Sequence, residues 1–446
     1  MPSTPPFTLD DTTLSAGIES IADAAQPPLQ HFTLDNGLAV YLREDHSTPL
    51  AAIQLRYHVG TSHESAGHTN ISHLLEHLIF EGSRKLEAGR YSQVIARLGG
   101  EANANTIDDA TVYEMLLPAA RLPVALEIMA DAMEGATFGQ AALERAAKAI
   151  EDERRLKVDN VPAQQAAERH NALAHGSSPY ATATFGNPAD LRNLSVETVR
   201  AWYQKWYRPN NATLVVVGAV DLATLGQHVS RYFGSIARAA LDAVPVPRHD
   251  AHLQARSQKL TLPGRDGLFM SFNVPSHATA TDATTVPALG LLCEVLGKGF
   301  SARLYSELVR DRRLLKGLTL AYEPMARGDT LLTLSTYINS QRSTHEQAEE
   351  AIYTAIDTLR HTPLSTQELK RAKLRMLTRR LFSHDSISLQ ADRIGAAAAA
   401  GLPPSLIDQE ADSIRHLDSA TLQQVAFDYL SRERLTITHL QAGAPA

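Results

Sequence analysis

The sequence predicts an α+β protein made of two similar halves. Residues 191–217 and 414–438 lie half of the 446-residue chain apart, and each segment reads as a helix that leads into a short β-branched strand. The two helices start alike, since Ser195 in the first and Asp418 in the second are both residue types that favour a helix N-terminus. Self-similarity at this distance predicts a duplicated domain.

The front parts of the two halves also follow one order of elements. Residues 51–57 and 267–273 alternate as strands do, and an apolar helix follows each of them, around residues 74 and 291. Each half therefore runs through strands, helices, strands, a helix and a final strand. That order predicts a mostly antiparallel sheet with helices on one face. We expect the halves to face each other as a clamshell around a cleft.

A linker is predicted between the halves. Residues 237–251 include the proline-rich stretch VPVPRHDA and show no periodicity. The predicted division is an N-terminal domain at 1–236 with the candidate chemistry, a linker at 237–251, and a homologous C-terminal domain at 252–446.

The composition argues against several classes of protein. Lys and Arg number 42 against 49 Asp and Glu, a net charge of −7, so nucleic acid and anionic membranes are not expected partners. The single cysteine, Cys293, excludes a disulfide framework and a Cys-rich metal module, and its apolar surroundings predict a buried core residue. No stretch approaches the roughly 20 apolar residues of a membrane span.

The N-terminus reads as a polar lead segment. Residues 1–20 lack the basic and apolar regions of a secretory signal peptide. This favours a cytoplasmic location, whereas a periplasmic location applies if an export signal has been removed.

The segment 67–80 carries the main candidate chemistry. Its apolar residues follow helical spacing, and His73 and His77 are four residues apart, so both imidazoles project from one face of the predicted helix. Two imidazoles in this arrangement can bind one zinc ion, and Glu76 can reach a water on that ion without being a ligand. The pattern H-x-x-E-H is the inverzincin signature. The alternative is a helix with surface histidines and a solvated glutamate, which would place unpaired polar groups in an apolar stripe.

A third ligand is expected on a second predicted helix, residues 143–157. Three acidic residues compete there: Glu151, Asp152 and Glu153. Helical phase places Glu153 on a face of small apolar residues that can pack against another helix, and Glu151 on a charged face. This favours Glu153 and leaves Glu151 as the alternative.

Together these segments resemble the pitrilysin/insulinase family of zinc metallopeptidases, and most of all its bacterial members that are similar to mitochondrial processing peptidase. The likeness is carried by residues 35–38, 59–61, 73–77, 80–82, 98–106, 111–113, 153–156, 159–160, 202–207, 209–211 and 299–305.

The resemblance implies a role for each matching residue. His73, His77 and Glu153 would bind one Zn²⁺ per chain, and Glu76 would be the general base. An edge strand would pair with extended substrate backbone, although the same residues are compatible with an ordinary edge strand. Those residues are Asn103, Ala104, Asn105 and Thr106.

The chain departs from the family pattern at two places. Many members carry a further Glu seven residues before the third ligand, where this chain has Ala146. The second half of members usually supplies an Arg and, seven residues later, a Tyr that bind substrate, and these positions fall on Val309 and Lys316. The resemblance therefore implies a zinc endopeptidase for unfolded peptides in a heterodimer, whose related partner subunit supplies the Arg/Tyr pair. The alternative is a non-catalytic family member that binds peptides or scaffolds a complex.

Overall fold

The computed structural model describes residues 11–250 and 253–443. The first half contains these helices and strands: α1 Asp11–Ala22, β1 Leu29–Thr33, β2 Ala39–Glu44, β3 Leu50–Tyr57, α2 Ile71–Ile79, α3 Arg90–Arg97, β4 Glu101–Thr106, β5 Thr111–Pro118, α4 Leu122–Gly135, α5 Gln140–Arg154, α6 Pro162–His175, α7 Pro188–Asn193, α8 Val196–Trp206, β6 Ala212–Gly218 and α9 Leu222–Phe233. A π-helical segment, Arg155–Asp159, continues α5.

The second half repeats this order. It contains β7 Arg256–Pro263, β8 Gly267–Val274, α10 Thr285–Leu296, β9 Leu315–Tyr322, β10 Thr330–Ile338, α11 His345–His361, α12 Thr366–Ser383, α13 Ile387–Ala399, α14 Leu406–His416, α15 Ser419–Tyr429 and β11 Leu435–Gly443. A π-helical segment, Tyr305–Asp311, precedes β9.

The sheet topology confirms the predicted duplication. The first sheet has the order β1-β2-β6-β3-β5-β4 and the second β7-β11-β8-β10-β9. Apart from β1, each strand has a counterpart: β2 and β6 pair in parallel, as do β7 and β11, and the remaining neighbours pair antiparallel in both sheets. The last strand of each half, β6 or β11, therefore returns to the middle of its sheet.

Each half has its own hydrophobic core between sheet and helices. In the first half, Tyr57 of β3 stacks on Tyr207, which follows α8, with ring centroids 3.9 Å apart. Leu74 and Leu75 of α2 are fully buried in the same core. In the second half, α10 is buried in the same way, and Cys293 is a buried free thiol, as predicted.

The two halves exchange one helix each, which the sequence did not predict. α6 of the first half packs on β7, β8, β10 and β11, and α13 of the second half packs on β3 and β6. A buried arginine of β3, Arg56, donates to Asp392 of α13 at 2.5 Å. Each sheet is therefore covered on its second face by a helix from the other half, and the halves interlock.

The division at residues 237–251 stays a prediction. Residues 238–250 form no helix or strand. They contact both halves: Leu241 and Val244 pack against the first core, and the Asp329 N–H donates to the Pro247 carbonyl at 2.9 Å. Because α6 packs on the second sheet and α13 on the first, each predicted domain contributes one helix to the packing of the other.

The N-terminal segment differs from expectation within its described part. Residues 11–22 form α1 rather than a polar lead, because Ile18 packs with Leu377, Ala411 and Ile414 of α12 and α14; residues 1–10 lie outside the described residues. Among the helices of residues 11–250 and 253–443, none is long and apolar enough to cross a bilayer.

A buried histidine of the exchanged helix α6 is expected to make the protein less stable in acid. Its His170 is fully buried, with Nδ1 2.8 Å from Thr438 Oγ1 and Nε2 2.7 Å from Ser271 Oγ. Burial lowers the pKa of His170 to about 4. The unfolded imidazole has a pKa near 6.5. The contribution of neutral His170 to the free energy of unfolding is therefore complete above that pH. It is lost as the pH falls toward 4, by up to about 1.4 kcal/mol per pH unit.

This loss can be measured with His170→Gln, whose amide can hydrogen-bond but does not titrate. Urea unfolding at pH 7.5 and pH 5 is expected to show a smaller loss of unfolding free energy for His170→Gln than for the wild type. His46→Gln, at an exposed histidine, serves as the control. An unchanged pH dependence in His170→Gln would show that protonation of His170 does not contribute to the loss of stability, and would contradict the prediction.

Candidate metal centre

Helix α2 presents its polar residues on one face because its apolar residues enter the core. Leu74, Leu75 and Leu78 are fully buried. On the other side, the rings of His73 and His77 lie 4.9 Å apart at 73°. His73 is nearly buried and His77 is about one quarter exposed, so the pair lies at the edge of the core where a small ion can enter.

Helix α5 packs against α2 and brings Glu153 to the histidines. Glu153 Oε2 lies 3.6 Å from Nε2 of His73 and 3.6 Å from Nε2 of His77. The ligand atoms of the three residues all lie within 4.8 Å of one another. Ligand atoms at about 2.0–2.2 Å from a tetrahedral zinc ion are about 3.4 Å apart, which is close to the two 3.6 Å distances from Glu153. Two imidazole nitrogens and one carboxylate oxygen are also a donor set that suits zinc.

The competing acidic residues point elsewhere. Glu151 Oε1 accepts from Arg192 at 3.3 Å, and Asp152 Oδ1 accepts from Arg155 at 2.6 Å. On the predicted face of Glu153, Ala146 and Ile150 are buried in the core, whereas Ala149 is exposed.

Glu76 lies beside the three residues and is held by the end of β4. Thr106 Oγ1 donates to Glu76 Oε2 at 2.6 Å, and both residues are buried. Burial raises the pKa of Glu76 to about 7, the Glu153 charge acts in the same direction, and the Thr106 hydroxyl opposes it. A carboxyl with a pKa near neutrality can accept a proton and give it back at pH 7.

The histidines are neutral at neutral pH, as metal binding requires. Burial lowers the pKa of His73 to about 4, and the neighbouring His77 adds to the effect. Burial also lowers the pKa of His77. For Glu153, burial acts to raise the pKa, but the Lys157 hydrogen bond and the nearby histidines bring it below its usual value.

The candidate substrate strand β4 is the edge of the first sheet. It pairs with β5 on one side, with Asn103 opposite Glu114 and Asn105 opposite Val112, and its other side has no strand partner among the described residues. Asn103 and Asn105 are exposed and Ala104 is half-buried. The unpaired edge therefore ends at Thr106, in contact with Glu76.

A cavity of about 550 Å³ is lined in part by Phe185 and Lys157, two residues that contact the candidate ligands; the ligands themselves do not line it. Phe185 on its wall contacts the His73 ring edge to face, with centroids 5.3 Å apart, and Lys157 donates to Glu153 Oε1 at 2.5 Å. The carboxylate oxygen that faces the histidines is therefore not the one that Lys157 holds.

Sequence reasoning missed three of these contacts. Lys157 lies four residues after Glu153, a spacing at which helical ion pairs form, so this contact had a local signal. Thr106 had been assigned to the edge strand but not to Glu76, and Phe185 had no signal because its contact with His73 depends on the tertiary fold.

The two positions at which the family resemblance places an Arg and a Tyr hold other residues in the second half. Val309 packs against the second core, and Lys316 is an exposed residue of β9. The nearby Tyr322 hydroxyl donates to the Pro275 carbonyl at 2.7 Å, and Arg312 pairs with Glu307 at 2.9 Å. These side chains are engaged within their own half.

Comparison with known families decides the affiliation. A family model described as Insulinase (Peptidase family M16) matches residues 39–185, and one described as Peptidase M16 inactive domain matches residues 193–376. The chain belongs to the M16 peptidase family. The predicted resemblance to the pitrilysin/insulinase family is thereby confirmed, whereas the likeness to processing-peptidase-like members stays a prediction. Most of the second half of this M16 chain matches the inactive type of domain.

Individual relatives agree. This M16 chain is similar to the zinc protease PqqE of Helicobacter pylori, with 28% identity over 307 residues, 68% of each chain. Its fold is similar to the crystal structure of a protease from Helicobacter pylori, with a TM-score of 0.87 and 24% identity over 94% of this chain and 100% of the other. It also matches pitrilysin, with a TM-score of 0.75 and 18% identity, over 95% of this chain but 46% of pitrilysin.

Proposed function

We propose that this M16 chain is a zinc-dependent endopeptidase that hydrolyses peptide bonds of unfolded peptides. The observation that carries the proposal is the convergence of His73 Nε2, His77 Nε2 and Glu153 Oε2 beside the buried carboxyl of Glu76. Relatives named zinc proteases support the same chemistry.

His73, His77 and Glu153 would hold one zinc ion. Zinc supplies Lewis acidity, which makes water a nucleophile at neutral pH and polarises a carbonyl oxygen. Glu76 takes a proton from the attacking water and later gives it to the leaving amine. Thr106 orients the Glu76 carboxyl through its hydroxyl, and Lys157 keeps Glu153 Oε2 turned toward the histidines by holding Oε1.

The edge of β4 indicates the substrate class. An extended peptide can add to this unpaired edge through backbone hydrogen bonds, so that its chain runs along Asn103, Ala104 and Asn105 toward Glu76. Backbone pairing requires an extended segment and tolerates many side chains. Unfolded peptides are therefore the proposed substrates.

A related partner subunit is proposed to complete the site. Negative charge that develops on the scissile carbonyl needs hydrogen-bond donors, and removal of one such donor lowers kcat by about 10²–10³-fold. Val309 and Lys316 occupy the positions at which the family resemblance places an Arg and a Tyr. We therefore expect a heterodimer in which a second M16 chain supplies this pair.

The requirement for a partner predicts a large activation on mixing. The purified chain, loaded with zinc, is expected to cleave an unstructured fluorogenic peptide slowly. Co-expression with a second M16 chain that carries the Arg/Tyr pair should raise the rate at least about 10²-fold. Full activity of the isolated chain would contradict the partner proposal but would leave the zinc proposal intact.

The second candidate function is a non-catalytic subunit that binds peptides or scaffolds a complex. The family description of the second half as inactive favours it. Such a chain would bind the peptide without cleaving it, with or without a partner. The complete set of His73, Glu76, His77 and Glu153 in the first half favours the enzyme.

A further inference from the structure

We propose that Glu64 is a positioning residue that fixes the N-terminus of α2, and with it the candidate ligand His73. This inference rests on the proposed zinc function. Glu64 does not touch the metal-binding groups and acts through the helix backbone.

The carboxylate of Glu64 caps the helix from outside. The Asn70 N–H donates to Glu64 Oε2 at 2.8 Å, and the Ser72 N–H donates to Glu64 Oε1 at 2.8 Å. These N–H groups belong to the end of α2 that has no hydrogen-bond partners within the helix. A side-chain carboxyl oxygen at this end accepts hydrogen bonds from N–H groups that the helix itself leaves without partners.

Helix α2 depends on such an external cap. The residue before it, Asn70, has φ 75° and makes no side-chain cap of its own. Its side-chain amide instead donates to the Phe185 carbonyl. The helix has nine residues, and a helix this short is not stable by itself.

The cap matters for metal binding because of where the ligands lie. His73 is the third residue of α2, so it belongs to the first turn, which frays first when a cap is lost. His77 lies one turn later and would stay in place. Loss of the Glu64 cap would thus move one ligand relative to the other, and outer groups that orient ligands typically contribute 10–100-fold to metal affinity.

The test compares zinc affinities measured by competition with a chromophoric chelator. Glu64→Ala is expected to raise the zinc dissociation constant about 10–100-fold. Glu64→Gln keeps one acceptor oxygen and is expected to fall between Glu64→Ala and the wild type. The matched control is Asp221→Ala, which removes a carboxylate that accepts from the Thr224 N–H at 2.8 Å at the start of α9, a helix without candidate ligands.

The outcomes separate positioning from a general effect on stability. Asp221→Ala should lower the thermal midpoint of the apo chain yet bind zinc as the wild type does. Wild-type affinity in Glu64→Ala, or equal weakening in Asp221→Ala, would overturn the inference. If Glu64→Ala does not fold, the same criterion applies to Glu64→Gln. A wild-type chain that binds no zinc would instead contradict the proposed function.

Discussion

Replacement of Glu76 by glutamine is expected to lower kcat for peptide hydrolysis by about 10²–10⁴-fold, the usual contribution of a general base. Glutamine has nearly the shape of glutamate, and its amide oxygen can still accept a hydrogen bond from the Thr106 hydroxyl, so the local structure should be kept. It cannot take a proton from water. Because Glu76 is not one of the three candidate ligands, the zinc content should stay at that of the wild type.

The measurement pairs turnover of an unstructured fluorogenic peptide with metal analysis of the same preparation, each in the presence of the partner subunit. Glu87→Gln, at a highly exposed carboxylate of the same half, is the control and should leave both values unchanged. Turnover of Glu76→Gln at the wild-type rate would remove Glu76 from its proposed role.

Replacement of Glu153 by alanine is expected to abolish stable zinc binding and reduce hydrolysis to the background of the assay. Two imidazoles remain, but a catalytic zinc site normally has three protein ligands. The matched variant is Glu151→Ala, two residues earlier on the same helix, where the lost contact is an exposed ion pair with Arg192. Such pairs contribute at most about 1 kcal/mol, so Glu151→Ala should keep its zinc and its activity.

Metal content after dialysis, measured beside the thermal midpoint, checks this pair of variants. Added zinc should raise the midpoint of the wild type and of Glu151→Ala, because a ligand that binds the folded chain stabilises it. The midpoint of Glu153→Ala should not respond. The opposite pattern, with zinc lost only in Glu151→Ala, would assign the third ligand to Glu151.

Much of the fold could be predicted because local sequence patterns indicate its helices and strands. The strands that end the two halves, β6 and β11, follow helices with Ser195 and Asp418 at their N-termini, and both residues cap their helices in the structure. The exchange of α6 and α13 could not be predicted. It depends on which sheet face each helix covers, and helical periodicity does not distinguish a helix that packs on its own half from one that packs on the other.

The candidate site also has a part that the sequence predicts and a part that depends on the tertiary fold. His73, Glu76 and His77 are neighbours on one helix, so their spacing was enough to group them. Glu153 is far away in sequence, and only its helical phase indicated that it faces another helix. The contact of Thr106 with Glu76 depends on the position of β4 beside α2, and the cap from Glu64 depends on the path of the loop before α2. No local pattern indicates either contact.

The most direct test is anomalous diffraction at the zinc edge from crystals of the wild-type chain grown with zinc. We expect one peak in the first half, about 2.0–2.2 Å from His73 Nε2, His77 Nε2 and a carboxylate oxygen of Glu153. Density without a peak between these groups, or Glu153 directed away from an ion held by other residues, would contradict the proposed metal centre.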